Sequence, residues 1–403
     1  YTNVDAHELA HQWFGDLVTA KSGKHHWLQE GFATYYALLA EKEIRGDDYF
    51  YAKLHQTAQQ IKYASRTDSI PILNEKASSL SFYQKGAWAL FVLHESLGDK
   101  IFKKLIKNYL KKYAFQNVET QDFFDEIHKL SNFDTDAFSK VWLESTIFNT
   151  AEANSLLLKN KSMQLLFDVE KMKTKVLEEK ASIFNQLLKA NNAAYVKVAI
   201  VNQLKNENFE SKKELLETAL ATADLEVRMA VATSLPKIPA DFRLQYETLL
   251  EDKSYEIQEI ALYNLWKNFP DHRVRYLEQS KNWTGFNDYN LRTLWLSLAL
   301  STLDYNADKK ILIDELINYS SNNYEAITRQ NALEKLIAFR LLDDEVLVNL
   351  VSSTTHHMWQ FSKFGRDAIR GLLKQEELRA SFNRILPNLS ASEQFQLKRL
   401  LIE

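Results

Sequence analysis

Cysteine is missing altogether from this chain of 403 residues, and glycine and proline are scarce, at 9 and 5 residues. The absence of cysteine excludes disulfides, thiolate metal sites and cysteine nucleophiles. It leaves cytoplasmic, periplasmic and extracellular locations equally open. Glycine and proline fall far below their average usage of roughly 7% and 5%. Tight hairpins and bulges need those residues, so sandwiches, propellers and other strand-rich folds are excluded. No glycine occurs between Gly98 and Gly285, and only Pro236, Pro239 and Pro270 interrupt that stretch, which therefore reads as helix after helix. Long hydrophobic runs are lacking too. The longest, around Leu294 to Leu300, is far short of the roughly 20 residues that span a bilayer. Charge of one sign is not in excess: the net charge is −3 with both signs interspersed, which argues against a nucleic-acid groove or an anionic membrane surface as partner.

What is present is an ordinary apolar fraction, 45%, enough for a sizeable core in two or three domains. The first 150 residues are rich in aromatics and carry the sharp motifs. Helices are expected over about 5–14, 30–45, 47–61, 83–97, 101–113 and 120–130. Gly15, Gly46 and Gly98 stand where C-terminal caps are expected, and Thr120 with Asp122, and Asp136 near Phe138, resemble helix starts. After Trp142–Leu143 the texture turns to amphipathic helices in Leu, Lys, Glu and Asn. The domain boundary is therefore placed at 149/150, giving domains 1–149 and 150–403. The second part repeats: YVKVAIVNQL, EVRMAVATSL and EIQEIALYNL set Val196, Val227 and Ile257, and Leu204, Leu235 and Leu265, at steps of 31 and 30 residues. A looser copy ends at Leu336. The pattern favours HEAT-like helical hairpins over an unrepetitive bundle, and either arrangement is all-α.

The informative segment is DAHELAHQWFGD. His7 and His11 lie at i and i+4, on one helix face, where two imidazoles can share a tetrahedral Zn²⁺. Glu8 can face that site as a general base without taking a coordination position; its bland role is a capping box with Asp5. A third ligand separates the two. The metzincin spacing would need Gly and His where Phe14 and Leu17 stand. Glu30, in WLQEGFATYY, follows His11 after 18 residues and completes a two-histidine, one-glutamate set with a position left for water. A glutamate at a helix start also serves as a dipole partner. His25 and His26 beside this set read as solvated or supporting rather than ligating, Thr34 as a supporting hydroxyl, and His356 and His357 as structural.

HELAHQWFGDLVT, WLQEGFATYYALLAE and SFYQKGA together resemble the aminopeptidase N family of zinc metallopeptidases, the gluzincins with His-Glu-x-x-His-x18-Glu. The resemblance covers residues 1 to about 145. It implies a mainly α chain: the helical half of a thermolysin-like zinc peptidase domain, followed by a HEAT-like α-helical solenoid domain. It implies one zinc held by His7, His11 and Glu30, with Glu8 as the general base that activates water against a peptide carbonyl. Tyr83 aligns with the tyrosine that stabilises the tetrahedral intermediate; read from its apolar helix alone, it is a core residue with a satisfied hydroxyl. Two positions depart from the family pattern: Gln29 stands where Asn is usual, and Lys24-His25-His26 where acidic residues are common. The family's Gly-x-Met-Glu-Asn motif, which grips the substrate α-amine, is absent, since no Met in the chain precedes a Glu. The chain opens six residues ahead of His7. It is therefore expected to be the C-terminal portion of a larger enzyme, poorly active alone, monomeric, and acting on peptides. The competing readings are another zinc hydrolase (an endopeptidase or epoxide hydrolase) and a helical-repeat binding module with a vestigial metal site.

Overall fold

The computed structural model describes residues 2–403. Among them, 23 α-helices and two three-residue strands make a mainly α chain. It separates into two compact units, the first ending at Gln203 and the second running Leu204–Glu403. Among the described residues no helix is long and apolar enough to cross a membrane.

In the first unit the helices are α1 (Thr2–Ala10), α2 (Glu30–Arg45), α3 (Asp47–Ala64), α4 (Gly86–Leu97), α5 (Asp99–Lys112), α6 (Thr120–His128), α7 (Thr135–Phe138), α8 (Thr150–Leu157), α9 (Lys161–Lys171), α10 (Leu177–Lys189) and α11 (Ala194–Gln203). A short parallel pair joins β1 (Val18–Ala20) to β2 (Gln116–Val118), with Val18 opposite Gln116. The helix α2 packs against α1, α3 and α4. Its buried face, including Phe32, Ala33, Tyr35 and Ala37, explains why it survives as the central element. Around it sits an aromatic core in which Phe14 stacks on Phe32 at 4.3 Å. Two buried tryptophans are pinned by hydroxyls: Trp27 donates to Thr120 and Trp88 to Thr57. The change of sequence texture at Asn149–Thr150 falls inside this unit. There the Asn149 side chain caps α8, and α8 and α9 pack on α3.

Most expected helices are present, with instructive differences. Gly46 and Gly98 do close α2 and α4, with positive φ and their N–H groups bonded back to Lys42 and His94. Gly15 caps nothing, because α1 ends at Ala10 and the chain turns over residues 11–13 before Phe14 bridges to Val18. The start of α6 is capped by Glu119 in a reciprocal box with Asp122 rather than by Thr120, and α7 is capped by Asp134 rather than Asp136. In both cases the capping side chain sits one or two residues earlier, where its oxygen reaches the third helical N–H. The segment before α4 is a π-helical turn, Ser81–Lys85.

The second unit contains α12 (Phe209–Leu220), α13 (Leu225–Ser234), α14 (Arg243–Glu247), α15 (Tyr255–Asn268), α16 (Arg273–Ser280), α17 (Asn290–Ser301), α18 (Lys309–Ser320), α19 (Ala326–Ala338), α20 (Asp344–Ser353), α21 (Trp359–Leu372), α22 (Glu376–Ile385) and α23 (Ala391–Ile402). Contacts run from α13 to α15, α17, α19 and α21 in one row, and from α18 to α20 and α22 in another, the alternation of stacked helical hairpins. The sequence repeat has a structural counterpart: Val196, Val227 and Ile257 are each the third residue of their helix and fully buried.

One buried cation ties this stack together. Arg329 is only 3% exposed and forms no ion pair among the described residues. Its guanidinium donates to the Ser320 carbonyl, which ends α18, and to Asn349 and Ser352 near the end of α20, while lying over the Phe361 ring. Two helix C-termini thus compensate its charge. Arg329→Met should lower the unfolding free energy by about 2–4 kcal/mol, because those buried acceptors lose their donor. Denaturant titration checks this, and a loss within about 0.5 kcal/mol, the ordinary scatter of surface changes, would contradict it.

Candidate metal centre

The two-helix core of the first unit brings three donor atoms to one point. The His7 and His11 Nε2 atoms are 3.1 Å apart, and Glu30 Oε2 lies 3.3 Å from one and 3.4 Å from the other. The imidazole planes are perpendicular, so both lone pairs can aim at a common centre. A tetrahedral ion with bonds of about 2.0–2.1 Å would set its ligand atoms about 3.3–3.4 Å apart, matching these separations. The group meets the requirement for a metal-holding cluster, each member partly buried. Glu30 Oε2 supplies the test of fit: it is buried and, among the described residues, lacks a hydrogen-bond partner, although both ring nitrogens stand within 3.4 Å of it. A buried carboxylate oxygen left this way is costly unless a cation completes it.

Local structure explains the convergence. His7 lies in α1 and His11 directly follows its last residue, its N–H still bonded to the His7 carbonyl, so the i, i+4 spacing keeps the two rings side by side; Glu30 is the first residue of α2, where the helix dipole favours its charge. Burial alone would raise the Glu30 carboxyl, but His7, His11 and the Tyr83 hydroxyl outweigh it and hold it below the usual carboxylate range. His11 Nδ1 lies 3.0 Å from the Phe14 carbonyl. That contact places the proton on Nδ1 and leaves the Nε2 lone pair free for a metal. Thr34 Oγ1 lies 3.5 Å from His7 Nδ1, at the outer limit of a hydrogen bond.

Tyr83 arrives from the π-helical turn. Its ring stacks on His7 with centroids 5.4 Å apart, and its hydroxyl interacts with the Glu30 carboxylate. Burial, then the charges of Glu30 and Glu8, push its pKa up and keep the phenol protonated. Next to it, the buried Lys85 donates to the Ser145 carbonyl and faces Asp68, and burial pulls its pKa down to about 8. Glu8 is exposed on α1 and has no hydrogen bond or ion pair among the described residues.

The other singled-out histidines are elsewhere engaged. His25 Nδ1 accepts the Thr120 N–H and lies 3.0 Å from its hydroxyl, holding the start of α6. His26 is exposed and packs edge-on to Phe82. His356 and His357 stack on each other in the second unit. Gln29, at the position where Asn is usual, accepts the Ala20 N–H at 3.0 Å and so fastens β1 to the start of α2. Sequence reasoning missed the Phe14 carbonyl and Gly15. A Cβ on Gly15 would stand 3.1 Å from the His11 carbonyl oxygen and 3.3 Å from its Nδ1, at a φ of +150° that side chains rarely adopt. The glycine inside a conserved-looking string was the available signal.

A helix-borne His-Glu-x-x-His pair closed by a glutamate from the next helix is the donor set of a gluzincin-type metallopeptidase. Residues 1–142 match the Peptidase family M1 domain. Aminopeptidase M1-D of Oryza sativa subsp. japonica is 37% identical over 136 residues, covering 31% of this chain and 16% of that protein. Endoplasmic reticulum aminopeptidase 2 of Bos taurus is 38% identical over 143 residues, covering 32% and 14%. Among solved structures, an M1 zinc metallopeptidase from Deinococcus radiodurans is 31% identical, covering 36% of this chain and 33% of that one, with a TM-score of 0.33. The likeness of residues 1–142 is thus to the M1, aminopeptidase N family of zinc metallopeptidases. The matched segment spans about one sixth of the length of these curated relatives.

Gly15→Ala should weaken zinc binding by roughly 10-fold or more, as expected when the support of a ligand histidine is disturbed. Competition against a chelator measures this; unchanged affinity would show that Gly15 does not hold His11 in place.

Proposed function

We propose that this chain carries the catalytic metal centre of a zinc aminopeptidase, which removes N-terminal residues from peptides. The convergence of three donor atoms within 3.1–3.4 Å, one of them an unpartnered buried carboxylate oxygen, carries the reading. His7, His11 and Glu30 would hold the ion. Zinc, when bound, supplies Lewis acidity toward water and the scissile carbonyl. Glu8 takes the proton from the attacking water and passes it to the leaving amine. Tyr83, kept protonated by its surroundings, donates a hydrogen bond to the oxygen that gains negative charge as the carbonyl becomes tetrahedral.

The choice of aminopeptidase over an endopeptidase or epoxide hydrolase rests on the relatives, which are named aminopeptidases. No Met-Glu pair is available in this chain to grip the α-amine, so no residue is assigned to that role.

Two substitutions test the roles. Glu8→Gln should retain stoichiometric zinc and lose about 10²–10⁴-fold in aminoacyl-anilide turnover. Tyr83→Phe should keep zinc and lower kcat roughly 10²–10³-fold. Full activity in either variant would remove that residue from the mechanism. Failure of the parent chain to bind zinc would sink the metal reading and the peptidase reading that rests on it.

A further inference from the structure

The closest approach in the first unit lies beside the metal centre, between two glycines. A Cβ on Gly31 would stand 3.0 Å from the Gly86 carbonyl carbon and 3.1 Å from its Cα. A Cβ on Gly86 would stand 3.0 Å from the Gly31 Cα and 3.5 Å from the Trp27 Cβ. The obstructing atoms are mainly backbone and cannot swing aside as a flexible side chain would. Neither glycine has a positive φ, so the close approach alone calls for glycine here. Gly31 directly follows Glu30, and Gly86 ends the π-helical turn that carries Tyr83, its N–H bonded to the Ser81 and Tyr83 carbonyls.

We propose that the Gly31–Gly86 crossing is a positioning device: backbone-on-backbone contact between α2 and the start of α4 fixes how far the Tyr83 hydroxyl reaches toward the Glu30 carboxylate. The inference rests on the metal and oxyanion roles assigned above. The three donor atoms come from α1, the residue that follows it and α2, whereas Tyr83 comes from the π-helical turn. A methyl group in the crossing therefore displaces Tyr83 relative to the metal set. At 3.0–3.1 Å the neighbour must give way by less than an ångström, and since a full ångström of misplacement at a reacting centre is worth about 10²-fold, the expected loss is about 10-fold.

The test uses the full chain loaded with zinc, and a phosphinic dipeptide whose tetrahedral phosphorus mimics the hydrated carbonyl. Gly86→Ala should keep zinc affinity within a few-fold of the parent. It should lose roughly 10-fold in phosphinate affinity, less than Tyr83→Phe, and the two changes combined should cost no more than Tyr83→Phe alone. Gly31→Ala adds its methyl from the opposite side and should behave alike. Gly371→Ala, whose added methyl meets nothing within 4 Å, is the control and should change neither affinity. Parent-like phosphinate binding by the alanine variants, or additive losses with Tyr83→Phe, would overturn the proposal. Loss of folding by both variants while the control stays folded would also overturn it, since the crossing would then serve the fold and not the site. A parent chain that binds no zinc, or binds zinc but no phosphinate, would instead count against the roles on which the inference rests.

Discussion

Three lone pairs converge on one point in this chain, and the surrounding helices are arranged so that they cannot move apart. Two imidazole nitrogens and a carboxylate oxygen within 3.4 Å form a poor arrangement in isolation. The oxygen is desolvated, its contacts to the rings are not good hydrogen bonds, and two acceptor nitrogens face each other. Side chains free to choose would turn to water. They do not, because His7 is committed to α1, His11 to the turn that directly follows it and Glu30 to the first turn of α2, and α1 and α2 pack together beside an aromatic core. The cost of gathering the donors is met when the chain folds, which is the usual basis for tight metal capture by a preformed set.

The next layer of contacts follows from that requirement. A histidine that binds a metal through Nε2 is oriented by the partner of its Nδ1, and for His11 that partner is the Phe14 carbonyl, 3.0 Å away. The chain presents that carbonyl by leaving the helix after Ala10 and turning through Gly15, which accounts for where α1 ends. Gln29 then joins β1 to the start of α2, so the turn that supports His11 is fastened to the element that carries Glu30. Tyr83, lying parallel to the His7 ring, completes a wall on the other side.

Much of this was legible in the sequence because the chemistry is encoded by spacing. The i, i+4 histidines and the glutamate 18 residues beyond depend only on helical periodicity and on two helices meeting. The helical repeat was legible for the same reason, since Val196, Val227 and Ile257 recur at the period of one hairpin and are buried alike. What was not legible depends on contacts that leave no periodic trace. The strands β1 and β2 are three residues each, too short for alternation to register. The π-helical turn at Ser81–Lys85 has no composition that distinguishes it from an α-helical one. Gly15 read as a cap because glycine after a helix usually is one; here it makes room for His11. The caps of α6 and α7 were displaced because neighbouring residues compete for the same N–H groups, and reach decides among them.

The scarcity of glycine takes on a different meaning in this light. A chain built of stacked helices has little use for it, and apart from Gly371 each one retained marks a place where a side chain would be crowded or where the backbone has a positive φ. In the first unit, Gly46 and Gly98 end helices. Gly15, Gly31 and Gly86 all lie against the metal centre, the first making way for His11 and the other two for each other. Ligand-bearing helices ordinarily approach only as closely as their side chains permit, with axes about 8–10 Å apart. Bringing a tyrosine hydroxyl and a ligand carboxylate into contact from separate elements calls for a closer crossing. Only a pair of residues without side chains supplies it, which is why the glycines gather where the chemistry does.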